Sequence, residues 1–237
     1  MNDVDELPDD GLNELLASQR RFYDLRAPDF ADVTKLTDRK HRGLMPTAEV
    51  RAIVDDFAPA GDVLELACGA GGFTRDLLRH TDTLTAVDGS ARMLELNREI
   101  VGDPAVEYRQ VDLFDWSPDR TYDAVFFGFW LSHVPPSRFE SFWTMVAACL
   151  RPGGRVGFVD EDPRARAHEL AHSNEGVPTA TRRLPDGTPH DIVKVFWDPS
   201  ELQERLTGLG WHATVRATGA SFYVGNGGWP ANSLPTT

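Results

Sequence analysis

The sequence predicts an α/β fold in which helices pack on a mostly parallel sheet. The first observation is a β-α-β unit over residues 62–88, in which two apolar strand-like runs flank a glycine-rich turn and an amphipathic helix. The second is that apolar runs and helix-like segments continue to alternate up to residue 159. The third is a closing pair of strand-like runs at 211–218 and 221–225. Such a unit is expected to be a right-handed parallel crossover. Because parallel strands point the same way, their carboxyl ends should meet at one edge of the sheet.

The glycine-rich turn predicts a nucleoside site. Gly69 and Gly71 let the backbone bend sharply and approach a ligand with no Cβ in the way. Asp88 ends the second strand, where a carboxylate can accept hydrogen bonds from both hydroxyls of a ribose. The spacing from Glu65 is acid-x-x-x-G-x-G, and Thr74 stands where a dinucleotide fingerprint has its third glycine. A dinucleotide-dependent oxidoreductase is therefore the weaker alternative. On this turn alone, an α/β domain with a tight loop and no ligand also remains open.

Composition and charge narrow the functional classes. The 237 residues suffice for one large domain or one domain with an attached cap, and 41% of them are hydrophobic. A formal net charge of −13 disfavours a broad contact with a nucleic-acid backbone, and no apolar stretch is long enough to cross a membrane. The acidic N-terminus lacks the apolar segment of a signal peptide, and two cysteines cannot form a disulfide framework. We therefore expect a cytoplasmic protein with a small-molecule substrate and no nucleic-acid or membrane partner. The sequence leaves the oligomeric state open.

The N-terminal 45 residues are predicted to be an acidic tail followed by lid helices. Residues 1–14 are acidic and polar and are expected to be disordered or frayed, and a helix is expected from about Leu12 to Leu25. Residues 23–30 resemble the Y-x-x-R-A-x-x-[YF] segment that precedes the core of many small-molecule methyltransferases, and this resemblance implies a lid over the cofactor. The residues alone fit equally well an ordinary amphipathic helix that packs on the core. The run 38–42 is the densest basic segment, either a solvated face or a site for an anion. A second helix, 47–57, is expected to be capped by Thr47 and to pack beside the first strand.

The end of the third strand is a candidate adenine site. Ser90 is predicted to cap the helix Ala91–Val101, and the strand that follows, 106–110, leads into Asp112–Phe114. An acid followed by two apolar residues can accept a hydrogen bond from an adenine amino group and sandwich the ring.

The fourth strand, Tyr122–Phe127, is apolar throughout, as a central parallel strand should be. It opens into residues 128–136, which include Trp130 and His133. A histidine at the carboxyl end of a central strand lies beside the place where ligands bind in such sheets, so His133 is the best-placed candidate for a general base. Trp130 either lines the pocket or fills the core.

The C-terminal part departs from a regular strand-helix rhythm. Its expected elements are a helix over 139–150, a Pro-Gly-Gly turn at 152–154, a strand over 155–159, a hairpin over 182–197, a helix over 201–206 opened by Pro199 or Ser200, and the closing pair of strands. The hairpin should turn at Asp186-Gly187, and Pro189 should limit its second arm. The main domain is thus expected over 46–226, with an insertion at about 160–198 and a loose tail at 227–237.

Taken in order, Glu65-x-x-x-Gly69-x-Gly71, Asp88, Asp112-Leu-Phe and the L-R-P-G-G turn at 150–154 resemble the class I S-adenosylmethionine-dependent methyltransferases. The resemblance implies a Rossmann-like, seven-stranded, mostly parallel sheet with an antiparallel last strand and helices on both faces. It also implies S-adenosylmethionine as cofactor, S-adenosylhomocysteine as product and no metal. The cofactor-binding residues that it implies are Tyr23, Arg26, Glu65, Ala67, Gly69, Gly71, Asp88, Gly89, Met93, Asp112, Leu113, Phe114 and Phe129.

A narrower resemblance covers nearly the whole chain. The segments DVLELACGAGGFTRDL, VDLFDWSPDRTYDAVFFGFWLSHVP and DGTPHDIVKVFWDPSELQERLTGLGW are similar to phosphonate O-methyltransferases of the dehydrophos type. The resemblance implies that the hairpin insertion covers the active site. One departure is Asp191, which stands where those enzymes have an arginine.

The methyl acceptor decides which further residues are needed. We expect O-methylation of an acidic group, a phosphonate or carboxylate, on a small molecule of bacterial specialised metabolism such as antibiotic biosynthesis. An ionised acid needs cations rather than a base, and an arginine fork suits it best. The catalytic candidates are His133 and Arg182, and the substrate-binding candidates are Arg26, Trp130, Arg183 and Lys194. One alternative is O-, N- or C-methylation of a neutral or phenolic metabolite with His133 as base, and a remote one is a non-catalytic S-adenosylmethionine-binding protein.

Overall fold

A seven-stranded sheet organises the computed structural model, which describes residues 9–31, 48–168, 171–174, 176–219 and 222–229. The strand order is β3-β2-β1-β4-β5-β10-β9. The bounds of these strands are β1 Asp62–Leu66, β2 Thr83–Asp88, β3 Val106–Gln110, β4 Tyr122–Gly128, β5 Leu150–Glu161, β9 His212–Ala217 and β10 Phe222–Gly228. Strands β1 to β5 pair in parallel, and β10 runs antiparallel to both β5 and β9. The predicted seven-stranded sheet with an antiparallel last strand is confirmed.

Helices accompany the sheet, and a second sheet lies beside it. The helices are α1 Asp9–Ala31, α2 Ala48–Phe57, α3 Thr74–Leu77, α4 Ala91–Val101, α5 Phe139–Ala148 and α6 Pro199–Gly208. The second, three-stranded antiparallel sheet consists of β6 Ala171–Asn174, β7 Val177–Arg183 and β8 Pro189–Val193. No helix among the described residues has both the length and the apolar character needed to cross a membrane.

The central strands are apolar because both faces of the sheet are covered. On one face, Phe127 stacks on Phe158 with 5.4 Å between ring centroids, and Trp143 of α5 packs edge-on against Phe158 at 5.4 Å. On the other face, Phe126 contacts Phe73 at 5.2 Å between centroids. The two aromatic layers fix the sheet between helices.

Strand order reverses between β1 and β4, and this reversal places the site. The chain builds outward from β1 to β2 and β3 on one side, and from β4 to β5 on the other. In open parallel sheets such a reversal leaves a crevice at the carboxyl ends of the strands. Leu66, Asp88 and Gly128 end the three strands that meet there.

The N-terminal helix is longer than predicted, because α1 begins at Asp9 and continues through Pro28 to Ala31. Its last turns are stabilised by packing rather than by propensity, since Ala27 and Phe30 form a buried cluster with Met93 and Leu96 of α4. Helical residues 9–14 also correct the expectation of a loose segment over 1–14, of which residues 1–8 lie outside the described part.

Several predictions concern residues outside the described part of the chain. They are the basic run 38–42, the cap at Thr47 and most of the tail. The domain boundaries stay predictions. Gly227 and Gly228 are exceptions to the predicted loose tail, because they pair with β5 and β9 inside β10.

Three predicted element boundaries shift. The helix after the glycine turn is a single turn, Thr74–Leu77. Helix α5 ends at Ala148, and the Pro-Gly-Gly turn lies inside β5 because Leu150 already pairs with Tyr122. The cap of α6 is Asp198, whose carboxylate accepts from the backbone N–H of Ser200 at 2.9 Å, and the helix begins at Pro199, two residues before the predicted start at Glu201.

The hairpin forms as predicted. Arg183 pairs with Pro189 across a turn in which Gly187 has a φ of +89°, and Pro189 begins the second arm. The sequence did not predict strand β6, which pairs with the other edge of β7 and completes the second sheet.

Candidate active site

A cavity of about 570 Å³ lies at the carboxyl ends of β1, β2 and β4, under α1 and beside the second sheet. It brings together most of the predicted site residues: Tyr23, Arg26, Ala67, Gly69, Asp88, Gly89, Met93, Asp112, Leu113, Phe114, Phe129, Trp130, His133, Arg182, Arg183 and Lys194. Two predicted cofactor residues, Glu65 and Gly71, do not line it. The binding roles of all these residues stay predictions.

The Asp88 carboxylate holds the glycine turn in place. One of its oxygens accepts from the Gly69 N–H at 2.9 Å and the other from the Ser90 N–H at 2.8 Å. Burial raises the pKa of Asp88 above its usual value, and the backbone N–H bonds partly oppose that rise. Ser90 also caps α4, as predicted, by accepting from the Met93 N–H at 3.1 Å.

Gly71 serves the packing of the turn rather than the cavity. Its φ is +90°, and an added Cβ would lie 2.8 Å from Oδ1 of Asn97. Two non-glycine residues that do line the cavity, Ala67 and Phe129, also have left-handed backbone, with φ of +50° and +57°. A left-handed backbone conformation is strained for a residue with a Cβ. Residues in this conformation occur most often at functional sites, where the surrounding structure enforces it.

Glu65 lies beneath the turn in a buried polar chain. Its carboxyl accepts from the Thr74 hydroxyl at 2.7 Å, and Asn97 donates to that hydroxyl at 3.0 Å. Tyr108 in turn donates to Asn97 at 3.0 Å. Thr74, which replaces the third glycine of a dinucleotide fingerprint, therefore anchors Glu65. Burial raises the pKa of Glu65 to about 8, and the nearby Asp88 adds to the rise against the Thr74 hydrogen bond.

A protonated Glu65 should make the stability of the ligand-free protein depend on pH. Because its pKa rises from 4.5 unfolded to about 8 folded, its contribution to stability is fully present below about pH 4.5 and is lost as the pH rises to 8. We expect the free energy of unfolding of the wild type, relative to Glu65→Gln, to fall across this window. Urea unfolding at several pH values measures the difference. A difference that is constant with pH would show that Glu65 is ionised throughout.

The predicted adenine end carries an unexpected partner. One oxygen of Asp112 accepts from the Phe114 N–H at 3.1 Å, and the other forms an ion pair with Arg20 of α1. Phe114 lies 5.6 Å from Trp130 between ring centroids, so Trp130 belongs to the cavity wall.

Helix α1 covers the opposite end of the cavity, where its Tyr23 contacts His133. The Nδ1 of His133 lies 2.8 Å from the Val193 carbonyl, and its Nε2 lies 2.8 Å from the Tyr23 hydroxyl. A carbonyl only accepts, so this geometry assigns the proton to Nδ1, and Nε2 accepts from Tyr23. Burial lowers the pKa of His133 well below its usual value, and the charges of Lys194 and Arg182 lower it further. The imidazole is therefore neutral, with both nitrogens engaged.

The four cationic side chains predicted for the site all line the cavity. Burial raises the pKa of Tyr23, but the charges of Arg182, Lys194 and Arg26 oppose the rise, so all three lie near its hydroxyl. Lys194 pairs with Glu161 at 2.6 Å. The fourth, Arg183, donates to the Gly187 carbonyl at 3.0 Å.

Asp191 does not enter the cavity. Its carboxylate accepts from the Thr181 hydroxyl at 2.7 Å, directly across the β7–β8 pair. Alternate residues of a strand face opposite sides, so Arg182 points away from this pair. Asp191 therefore adds no negative charge to the cavity wall.

Sequence reasoning missed a dozen lining residues: Leu16, Gln19, Arg20, Phe30, Cys68, Ala70, Gly72, Phe73, Ser90, Val111, Gly128 and Glu161. Some of them carried a signal. Leu16, Gln19, Arg20 and Tyr23 share one helical face by their spacing of three and four residues. Glu161 is an acid at the carboxyl end of a central strand, as Asp88 is.

Comparisons with known proteins identify the family and agree with the fold. A family model described as a methyltransferase domain matches residues 63–154. The structure of a DhpI–SAH complex is 41% identical with a TM-score of 0.75, and the alignment covers 92% of this chain and 98% of that one. A DhpI–SAM–HEP complex is 40% identical with a TM-score of 0.73, and the alignment covers 90% and 97%.

Curated relatives match more locally. A fatty-acid O-methyltransferase from Mycolicibacterium smegmatis is 37% identical over 105 residues, which are 43% of this chain and 38% of that protein. A ubiquinone biosynthesis O-methyltransferase from Xanthomonas axonopodis pv. citri is 29% identical over 160 residues, 64% of this chain and 63% of that protein. The chain thus spans less than two thirds of these two proteins.

Proposed function

The chain belongs to the S-adenosylmethionine-dependent methyltransferases, and from this premise we propose that it methylates an oxygen of an acidic group on a small molecule. The acid would be a phosphonate or a carboxylate. The similarity to DhpI, a phosphonate O-methyltransferase of dehydrophos biosynthesis, supports this assignment, as it does a place in bacterial specialised metabolism.

The cofactor half of the cavity has the chemistry that S-adenosylmethionine requires. The Asp88 carboxylate suits the ribose hydroxyls, and Asp112 with its two apolar neighbours suits the adenine. The turn at Gly69 leaves open space where a Cβ would lie, so the backbone can approach the ligand closely. S-adenosylmethionine supplies an activated methyl group and leaves as S-adenosylhomocysteine. No group of three or more His, Cys, Asp or Glu side chains suited to a metal occurs among the described residues, and a metal-free reaction stays a prediction.

One observation carries the choice of an acidic acceptor: positive charge surrounds a histidine whose two nitrogens are both engaged. Arg182 and Lys194 lie close enough to His133 to lower its pKa. A carboxylic acid, with an ordinary pKa near 4, is already ionised at neutral pH and needs no base. It needs cations that hold and orient it, and Arg182 is the side chain whose planar fork suits two acid oxygens. The chain's part in catalysis is then to position the acceptor in a site closed by α1.

The phenolic alternative makes a different demand on His133, and an acceptor panel separates the two. Methyl transfer from labelled S-adenosylmethionine would be measured with a small phosphonate, a carboxylate and a phenol. For an acid, we expect His133→Ala to lower kcat by less than about tenfold, since the histidine only orients Tyr23, whereas loss of a general base costs about 10²–10⁴-fold.

Turnover of the phenol alone, abolished in His133→Ala, would overturn the acidic-acceptor proposal and favour base-assisted methylation. Binding of S-adenosylmethionine without turnover of any acceptor would leave a binding protein of the same fold.

A further inference from the structure

The Lys194 ammonium is held in a nearly closed environment. Its side chain is 2% exposed, and the Nζ donates to Glu161 Oε2 at 2.6 Å and to the Ser132 hydroxyl at 3.0 Å. It also lies 5.3 Å from the centre of the Phe196 ring. An ammonium carries three protons, so two of them have these partners and the third is available to a molecule in the cavity.

We propose that Glu161 is a positioning residue that keeps the Lys194 ammonium charged and fixed for contact with the acid group of the methyl acceptor. This inference deepens the proposed function, on which its reference to an acid rests. Its claim about the charge of Lys194 can be tested without any acceptor.

The physical reason is the cost of burying a cation. A buried ammonium without a negative partner loses its proton because the interior solvates the charge poorly, and documented shifts reach several pH units. A neutral amine could not hold an ionised acid. In a site that binds an anion, the carboxylate that keeps the lysine charged is therefore as necessary for binding as the lysine itself.

Among the groups around Lys194, Glu161 is the one that can act as the negative partner of the ammonium. The titratable side chains beside Lys194 are Tyr23, His133, Asp160 and Glu161. Two cations lie nearby: Arg182 acts on the same Tyr23 and His133, and Arg166 lies over the same Phe196 ring. Tyr23 and His133 are neutral, because burial moves the pKa of each away from ionisation. Arg182 is positive and makes a second cation nearby harder to sustain.

Asp160 holds the backbone rather than the ammonium. It is fully buried, and its two oxygens accept from the Ser132 N–H and the Glu161 N–H, each at 2.8 Å. These bonds fix the backbone that carries the partners of Lys194. Burial raises the pKa of Asp160, against the lowering effect of Lys194. Glu161 keeps 20% of its side chain exposed, and it contacts the ammonium directly. Glu161 is thus the carboxylate that partners the ammonium.

The chain offers a direct measurement, since it contains only three lysines, Lys35, Lys40 and Lys194. With ¹³C-labelled lysine, three Cε signals would be followed against pH by NMR, and Lys194→Arg would assign the signal of interest. We expect Glu161→Gln to lower the apparent pKa of Lys194 by at least about one unit, because the buried charge loses its partner. Glu161→Asp should restore part of the shift. Glu201→Gln, which removes a carboxylate from the exposed pair with Arg205, serves as the matched control and should change nothing.

The kinetic counterpart is the pH dependence of acceptor use. For an acidic acceptor, kcat/KM of Glu161→Gln should fall at lower pH than that of the wild type as Lys194 loses its proton, while the affinity for S-adenosylhomocysteine shows that the variant is folded. An unchanged Lys194 titration in a folded Glu161→Gln would overturn the inference. If the titration shifts but no acid is methylated, the proposed acceptor is wrong and the assignment of Glu161 as the residue that keeps Lys194 charged stands.

Discussion

Replacing Arg182 with alanine is expected to lower kcat/KM for an acidic acceptor by about 10²–10⁴-fold, because two hydrogen bonds to a charged group contribute about 1.5–3 kcal/mol each. The guanidinium lines the cavity and lies close enough to Tyr23 and His133 to shift the pKa of both. Its loss should act on the acceptor and leave the cofactor half intact. Steady-state kinetics with saturating S-adenosylmethionine would measure the effect, and calorimetry would check that cofactor affinity is unchanged.

The variant Arg182→Lys distinguishes the effect of the planar guanidinium from the effect of its positive charge. Lysine keeps the positive charge but cannot bind two acid oxygens in one plane, so its activity should lie between those of the wild type and the alanine variant. Arg79→Ala is the control, since Arg79 is half exposed and pairs with Asp55 on the surface. If Arg182→Ala methylates an acid as well as the Arg79 control does, charge pairing by Arg182 is excluded.

Replacing Asp88 with alanine should weaken S-adenosylmethionine binding by at least about 100-fold, because charge-assisted hydrogen bonds to the ribose are lost. A second effect adds to the first. The Gly69 and Ser90 N–H groups lose their acceptor, so the turn that faces the ligand is no longer held in place. Isothermal titration calorimetry measures the affinity directly.

Asp82→Ala provides the matched control, because Asp82 is an exposed acid just before β2. We expect it to bind S-adenosylmethionine like the wild type. An Asp88→Ala protein that still binds S-adenosylmethionine within a few-fold of wild-type affinity would show that the ribose is held elsewhere in the cavity.

The amino-acid sequence alone predicts the sheet and the part of the cavity that we propose for the cofactor. Both depend on local patterns: apolar strands, the glycine turn, and the acids Asp88 and Asp112 at strand ends. In a parallel sheet the carboxyl ends meet at one edge, so such residues converge whatever the details of packing. Spacing alone could not show that Glu65 and Gly71 do not line the cavity. A residue of a strand or of a turn can face towards a ligand or away from it, and its position in the sequence does not say which.

The part of the cavity that we propose for the methyl acceptor depends instead on contacts between residues far apart in the sequence. Gln19 accepts from the Val193 N–H across 174 positions of sequence, and Tyr23 reaches His133 across 110. Lys194 meets Glu161 where the end of the hairpin approaches the end of β5. The periodicity of a helix or strand specifies which face a residue occupies, but not which distant element will cover that face. The neutral state of His133 follows from its burial and from its charged neighbours, which come together only when the elements pack.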